Sequence, residues 1–348
     1  MSVTIADVAA RAGVSKTTVS RVLNGKGDLH ESTAARIREA MAELGYVPSA
    51  RGVSLGRDRN SVVAMLVPSL AWPWVSEIVQ GAVDVIEGEG YGLMLLTCKR
   101  TDQSMKRFAS HVSASAFDGL LVVHEEGTRD YTSGLHTRSR PVVVIDDRET
   151  SAQFPGVSTT NRWGAQLAAR HLLELGRSRP AVITGPQPFR CTRERTDGFT
   201  AVFGEAGLPI GPTRVIPGDF TYESGVLAIE RLLREHVPFD SIFAHNDESA
   251  AGAMACLHAA GVRVPEDVAV VGFDDSPEAP VTTPGLTSVR QPCRAMGEAA
   301  AQMLMAHLDG RDGRNISTVI PTTLSVRGST VGAAIELPKE TARPHFSF

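Results

Sequence analysis

At 348 residues the chain exceeds one ordinary core, and 42% hydrophobic with 21% charged residues is a globular composition that excludes a disordered or collagen-like polymer. Its longest apolar runs, such as Val62 to Pro68, fall far short of the roughly 20 residues a membrane helix needs, so no membrane partner is expected. The net charge of −4 conceals a split: residues 1–60 carry nine Lys and Arg against six Asp and Glu, which leaves −7 on the remainder. A small module that meets a polyanion, joined to a larger body that does not, is the expectation. The start MSVTIADVAARAGVSK lacks the basic stretch and apolar core of a secretory signal, so a cytoplasmic location is expected. Cys98, Cys191, Cys256 and Cys293 lie far apart with no C-x-x-C pair. They read as buried thiols, and neither a metal nor another cofactor is expected.

Thr4 to Tyr46 reads as three short helices. Thr4 is a good N-cap before Ile5, Val8, Ala9 and Ala12 at helical spacing. Gly13 supplies a turn, and Ser15 caps a second helix with Val19, Val22 and Leu23 inward. A third helix over Thr33 to Leu44 stops at Gly45. From Pro48 to Asn60 the residues turn to Ser, Gly, Arg and Asp, as in a linker. The organisation expected is therefore a three-helix module over 1–47, a hinge segment over 48–60, a body over 61–330 and a tail over 331–348.

The body alternates strand-like runs with amphipathic stretches. The strands read as Val62 to Val67, Leu93 to Thr97, Leu120 to Val123, Val142 to Ile145, Ala181 to Thr184, Ser241 to Ala244 and Val268 to Phe273. The helices read as Val75 to Glu87, Gly164 to Leu175, Arg195 to Ala206, Glu223 to Arg234, Ala250 to Ala260 and Met296 to Leu308. Such alternation predicts parallel sheets covered on both faces, and strands spread over some 270 residues, more than one such core usually holds, call for two α/β lobes with a ligand cleft between them. The tail carries no leucine heptads.

Ala9, Gly13, Val14, Val19 and Val22 fall at helix-turn-helix offsets, while Ser15, Lys16, Thr17, Thr18, Ser20, Arg21 and Asn24 put hydrogen-bonding groups on the outward face of the second helix. TIADVAARAGVSKTTVSRVLNG closely resembles the amino-terminal signature of the LacI family of bacterial repressors. The resemblance runs on through AMAELGYVP, FDGLLVV, PVVVIDD, AHNDESAAGAM and GVRVPEDVAVVGFDD to about Arg327. It implies that Lys16, Thr17 and Arg21 read bases in the major groove. It also implies that Thr4, Ser15, Ser20, Asn24 and Tyr46 hold phosphates and that Leu55 wedges into the minor groove from a hinge helix. The chemistry agrees for Arg21, whose guanidinium grips guanine O6 and N7 in bidentate fashion. Gly52 and Val53 stand where alanine and arginine are usual, which predicts a hinge that folds less readily. Gly52-Val53-Ser54-Leu55-Gly56 also fits a nucleophile elbow, but no strand precedes it and no catalytic set accompanies it, so no enzyme is expected.

The body resembles periplasmic sugar-binding proteins as well as the repressor core. Carried over by position, Arg195, Asn246, Asp247 and Asp274 match polar effector contacts and Phe220 an aromatic one, with Trp72 and Trp74 where the first strand's loop opens. Competing structural roles are caps: Asp247 for the helix from Glu248, Asp274 and Asp275 for the segment after them. Thr160 replaces a frequent aspartate, with altered ligand chemistry expected, and Arg177 replaces a frequent histidine in a structural role. The expected protein is a homodimeric regulator that binds a near-palindromic double-stranded operator under control of a small carbohydrate. A nucleobase or nucleoside effector, and a sugar-sensing protein without DNA, are the alternatives.

Overall fold

In the computed structural model, the residues described are 3–23, 30–46, 60–70, 72–97, 106, 110, 117–123, 140–145, 154–187, 189–311 and 317–332. Asn24, Leu55, Cys98, most of the hinge and nearly all of the tail lie outside them. The amino-terminal module has helices α1 (Ile5–Ala12), α2 (Lys16–Leu23) and α3 (Glu31–Leu44) around fully buried Val8, Val19 and Ile37. Asp7 accepts hydrogen bonds from the Thr4 backbone N–H (2.8 Å) and hydroxyl (2.7 Å), fixing the start of α1. Gly13, at φ +67°, ends it by a left-handed turn, with its N–H on Ala10 and that of Val14 on Ala9. That turn is what aims α2 away from α1.

The body runs β1 (Val62–Val67), α4 (Pro73–Gly88), β2 (Gly92–Thr97), β3 (Gly119–Val123), β4 (Val142–Ile145), β5 (Gly156–Thr159), α5 (Asn161–Glu174) and β6 (Pro180–Thr184). It continues with α6 (Arg190–Glu205), β7 (Val215–Pro217), α7 (Tyr222–Arg234), β8 (Ser241–Ala244), α8 (Asp247–Ala259), β9 (Ala269–Asp274) and β10 (Thr287–Arg290), then α9 (Cys293–Leu308), β11 (Ser317–Ile320), β12 (Thr323–Ser325) and α10 (Gly328–Val331). The described residues build two six-stranded sheets, ordered β11-β5-β4-β3-β1-β2 and β12-β10-β9-β8-β6-β7. The first is parallel throughout, and the second is parallel except where β12 meets β10. Each sheet is covered on both faces by apolar clusters, which is why β3, β4, β6 and β8 are wholly buried.

The chain passes between lobes three times. After β5 it enters the second lobe through α5, and after β10 it returns, α9 packing beneath the first sheet. After β11 it crosses again to β12. Thr160 lies on the first crossover and Thr322 on the third: the Thr322 N–H donates to the Thr160 hydroxyl (2.9 Å), and the two hydroxyls meet at 3.0 Å. Thr160 therefore joins crossovers and does not line the cleft, which corrects the expectation that it alters ligand chemistry.

Other differences from the sequence reading have simple causes. The body helices begin one to five residues before their apolar periodicity does. Strands β5, β7, β10, β11 and β12, of three or four residues each, escape the pattern, and two of them, β11 and β12, have no wholly buried residue. Cys191 and Cys293 are buried thiols, but Cys256 is only half-buried. Arg177 is structural, donating to the Pro265 carbonyl at 2.6 Å. Among the described residues no helix is long and apolar enough to cross a membrane.

Candidate DNA-reading helix and effector cleft

On α2, burial of Val19 turns Lys16, Thr17 and Arg21 outward, and all three are exposed. Among the described residues no side-chain hydrogen bond holds them, so the face is available to base edges. The remaining residues expected at phosphates divide. Ser15 caps α2, its Oγ accepting from the Thr18 N–H (3.1 Å), so this hydroxyl first serves the helix. Thr4 serves α1 in the opposite sense, its hydroxyl donating to the Asp7 carboxylate (2.7 Å). Tyr46 packs its ring against the module's core and is half-buried, while Ser20 is half-exposed.

The cleft between the lobes holds a cavity of about 390 Å³, and all seven residues expected there line it: Trp72, Trp74, Arg195, Phe220, Asn246, Asp247 and Asp274. Pro73 starts α4 at its first position, with the two tryptophans flanking it as a stacked pair 5.9 Å apart. From the other lobe comes a second stacked pair, Phe189 and Phe220, at 6.0 Å. Phe220 adopts φ +71°, a strained backbone for an aromatic residue, and its carbonyl accepts from Asn246 Nδ2 at 2.7 Å. Gly185 makes room for it, since a Cβ there would lie 2.0 Å from Phe220 Cζ.

The polar residues hold one another as firmly as they face the cavity. Asn246, not Asp247, caps α8, its Oδ1 accepting from the Ser249 N–H at 3.2 Å. Asp247 is instead the first residue of the helix, 3% exposed, accepting from the Ser276 N–H (2.7 Å) and the Ser288 hydroxyl (2.5 Å). Burial, and then the charge of Asp274, push its carboxyl well above the usual range. Arg195 donates from Nε to Asn161 Oδ1 (2.9 Å) and from Nη1 to the His245 carbonyl, lies 3.5 Å over the Phe273 ring, and stands 3.9 Å from Asp274. Asp274, at φ +113°, accepts from Gln291 Nε2 at 2.6 Å. Asp275 caps nothing: Arg290 and Arg327 each bind its carboxylate at 2.6 Å. Beneath the cleft, His245 is held well below its ordinary pKa by burial and then by the charge of Arg195.

Phe189, Tyr222 and Gln291 also line the wall and were not anticipated. Only the aromatic character of the first two was available as a signal, and nothing in the sequence places them together. Stacked rings on opposite walls and a carboxylate-rich floor suit a flat, hydroxylated molecule, with C–H faces on the rings and hydroxyls on the charged groups.

Residues 4–49 match the family model described as bacterial regulatory proteins, lacI family, and residues 169–330 match that of a periplasmic binding protein-like domain. The HTH-type transcriptional regulator CelR of Thermobifida fusca is 34% identical over 342 residues, covering 94% of this chain and 98% of that protein. A solved structure of a CelR–cellobiose complex aligns with a TM-score of 0.73 at 34% identity, over 94% of this chain and 99% of the other. The lac repressor dimer bound to operator and the anti-inducer ONPF aligns with a TM-score of 0.84 at 26% identity, over 95% and 99%. With an amino-terminal helix-turn-helix, two crossed α/β lobes and a 34% identical relative along nearly its whole length, this chain belongs to the LacI family of bacterial regulatory proteins.

Proposed function

We propose that this regulator is a cytoplasmic homodimeric repressor whose paired modules read a near-palindromic operator through Lys16, Thr17 and Arg21, under control of an uncharged carbohydrate bound in the cleft. Residues 1–47 form the DNA module, 48–60 the hinge that carries Leu55 to the minor groove, 61–330 the effector body and 331–348 the tail. Asn24, Thr4, Ser15, Ser20 and Tyr46 set register on phosphates, which carries no sequence information.

The observation that carries the effector reading is the cavity with aromatic pairs from both lobes. Each lobe supplies one stacked pair, so a ligand that touches both holds the lobes at one angle. Its ionisable lining is Asp247, Glu248, Asp274 and Glu278 against Arg195, a balance that repels sugar phosphates. A nucleobase is the second reading, favoured by the same parallel rings.

A thermal-shift screen separates them, because a ligand of the native state raises its stability by mass action. Neutral sugars are expected to raise the melting temperature by several degrees, with sugar phosphates and purines inert; a purine giving the largest shift would replace the carbohydrate reading. Gel shifts with and without the hit then test control of operator binding.

A further inference from the structure

A second cavity, of about 460 Å³, adjoins the first on the flank beside the second crossover, and Trp74, Asp274 and Gln291 stand in the walls of both. Each volume falls within the roughly 300–1,000 Å³ of ordinary ligand sites, so a single sugar ring in the first leaves the second empty.

The two cavities differ in chemistry. The first has the four aromatic rings of the stacked pairs, whereas the second has Trp74 alone with Glu77, Arg290 and Arg294 around it. Arg290 and Arg294 keep 60% and 52% of their side chains exposed, Arg290 binding Asp275 and Arg294 binding Asp84 with Glu298 at 3.7 Å. A guanidinium has five N–H donors, more than one carboxylate engages. This second wall offers donors and acceptors of both signs at nearly balanced charge. It suits a hydroxyl-rich, uncharged end rather than an apolar or ionic one.

We infer that the effector is a linear, uncharged oligosaccharide longer than a disaccharide, with inner rings between the aromatic pairs and its outer end beyond Trp74 in the second cavity. This rests on the carbohydrate reading above and specifies its length. Trp74, which lines both cavities, is the point the chain passes.

Titration calorimetry of the full-length protein with glucose, cellobiose, cellotriose and cellotetraose, and with the matching maltose and xylobiose series, decides it. In the series that binds, the trisaccharide is expected to bind at least tenfold more tightly than the disaccharide. Ala295→Trp, a plug at an exposed position lining only the second cavity, is expected to erase that gain. A disaccharide that binds as tightly as the trisaccharide overturns the inference and leaves the carbohydrate reading standing, as does a gain that survives Ala295→Trp. Failure of every series overturns both. The length dependence of the unaltered protein is sufficient alone should the variant not fold.

Discussion

Replacing Arg195 by methionine removes a guanidinium while keeping most of its aliphatic stem, and the loss of stability follows from what the guanidinium touches. The side chain is 4% exposed. Its Nε and Nη1 satisfy Asn161 and the His245 carbonyl, and its charge stands 3.9 Å from Asp274, itself beside buried Asp247. A buried acceptor left without a donor costs about 1–3 kcal/mol, and a buried charge pair broken on one side about 3–5 kcal/mol. Asp274 retains its bond from Gln291 and is 12% exposed, so the lower end applies to the pair. With partial relaxation, and because these costs do not add, the net is about 4 kcal/mol. At roughly 2 °C per kcal/mol for a body of this size, the melting temperature falls by about 8 °C. Calorimetric melts of both proteins at pH 7 measure it. A methionine variant melting within about 2 °C of the parent would refute the view that Arg195 is first a keystone of the cleft and only then a ligand contact.

Arg21→Ala is expected to reduce discrimination between operator and scrambled duplex by roughly five- to 150-fold, the worth of one bidentate guanine contact of about 1–3 kcal/mol, while salt-sensitive weak binding persists. Unchanged discrimination in gel shifts at fixed salt contradicts that role. Gly185→Ala forces the Phe220 ring into the cavity without touching a core, so the unliganded melting temperature is expected to stay within about 2 °C of the parent while the ligand-induced shift shrinks. Loss of the unliganded fold would show that the ring cannot yield. For Asp247→Asn the sign follows from a carboxyl raised in the folded state: its contribution is fully present below the ordinary value of 3.8 and is lost as pH rises. Asparagine still accepts from Ser276 and donates to Ser288, so the variant should gain stability over the parent between pH 4.5 and 7.5 in urea melts while losing its effector response. A constant difference across that range rejects the argument.

What the sequence disclosed depended on the kind of signal each residue carries. Val63 to Val67 and Val142 to Ile145 are buried on both faces and read as strands from composition alone. The Ser-Thr-Val-Ile of β11 does not, because its place beside β5 comes from a crossover made after the chain has visited the other lobe. On α2, period 3.6 sufficed to turn Lys16, Thr17 and Arg21 away from Val19, so the reading face was legible within eight residues. The cleft was not legible in that way. Trp72 and Asp274 are some two hundred residues apart; resemblance pointed to Asp274, and the loop after the first strand to Trp72. The choice between Asn246 and Asp247 as the cap of α8 turns on a single backbone setting: Asn246 is extended at φ −151°, and Asp247 is already helical. Adjacent capping residues carry no composition signal that separates them.

Asp274 joins the cleft to the second crossover. Its side chain accepts from Gln291 Nε2 and its carbonyl from the Gln291 N–H (3.2 Å), and Gln291 is followed at once by the crossover into α9. The first and third crossovers are tied to each other by Thr160 and Thr322, whereas the second is tied to the cleft floor through Asp274 and Gln291. The linker joins the first lobe without slack, since the N–H groups of Asn60 and Ser61 both donate to the Asp118 carboxylate at 2.8 Å. A movement of the first lobe is therefore passed directly to the chain at residue 60. The coupling is a free energy between two sites, so it acts both ways: operator DNA must change effector affinity by the factor by which effector changes operator affinity.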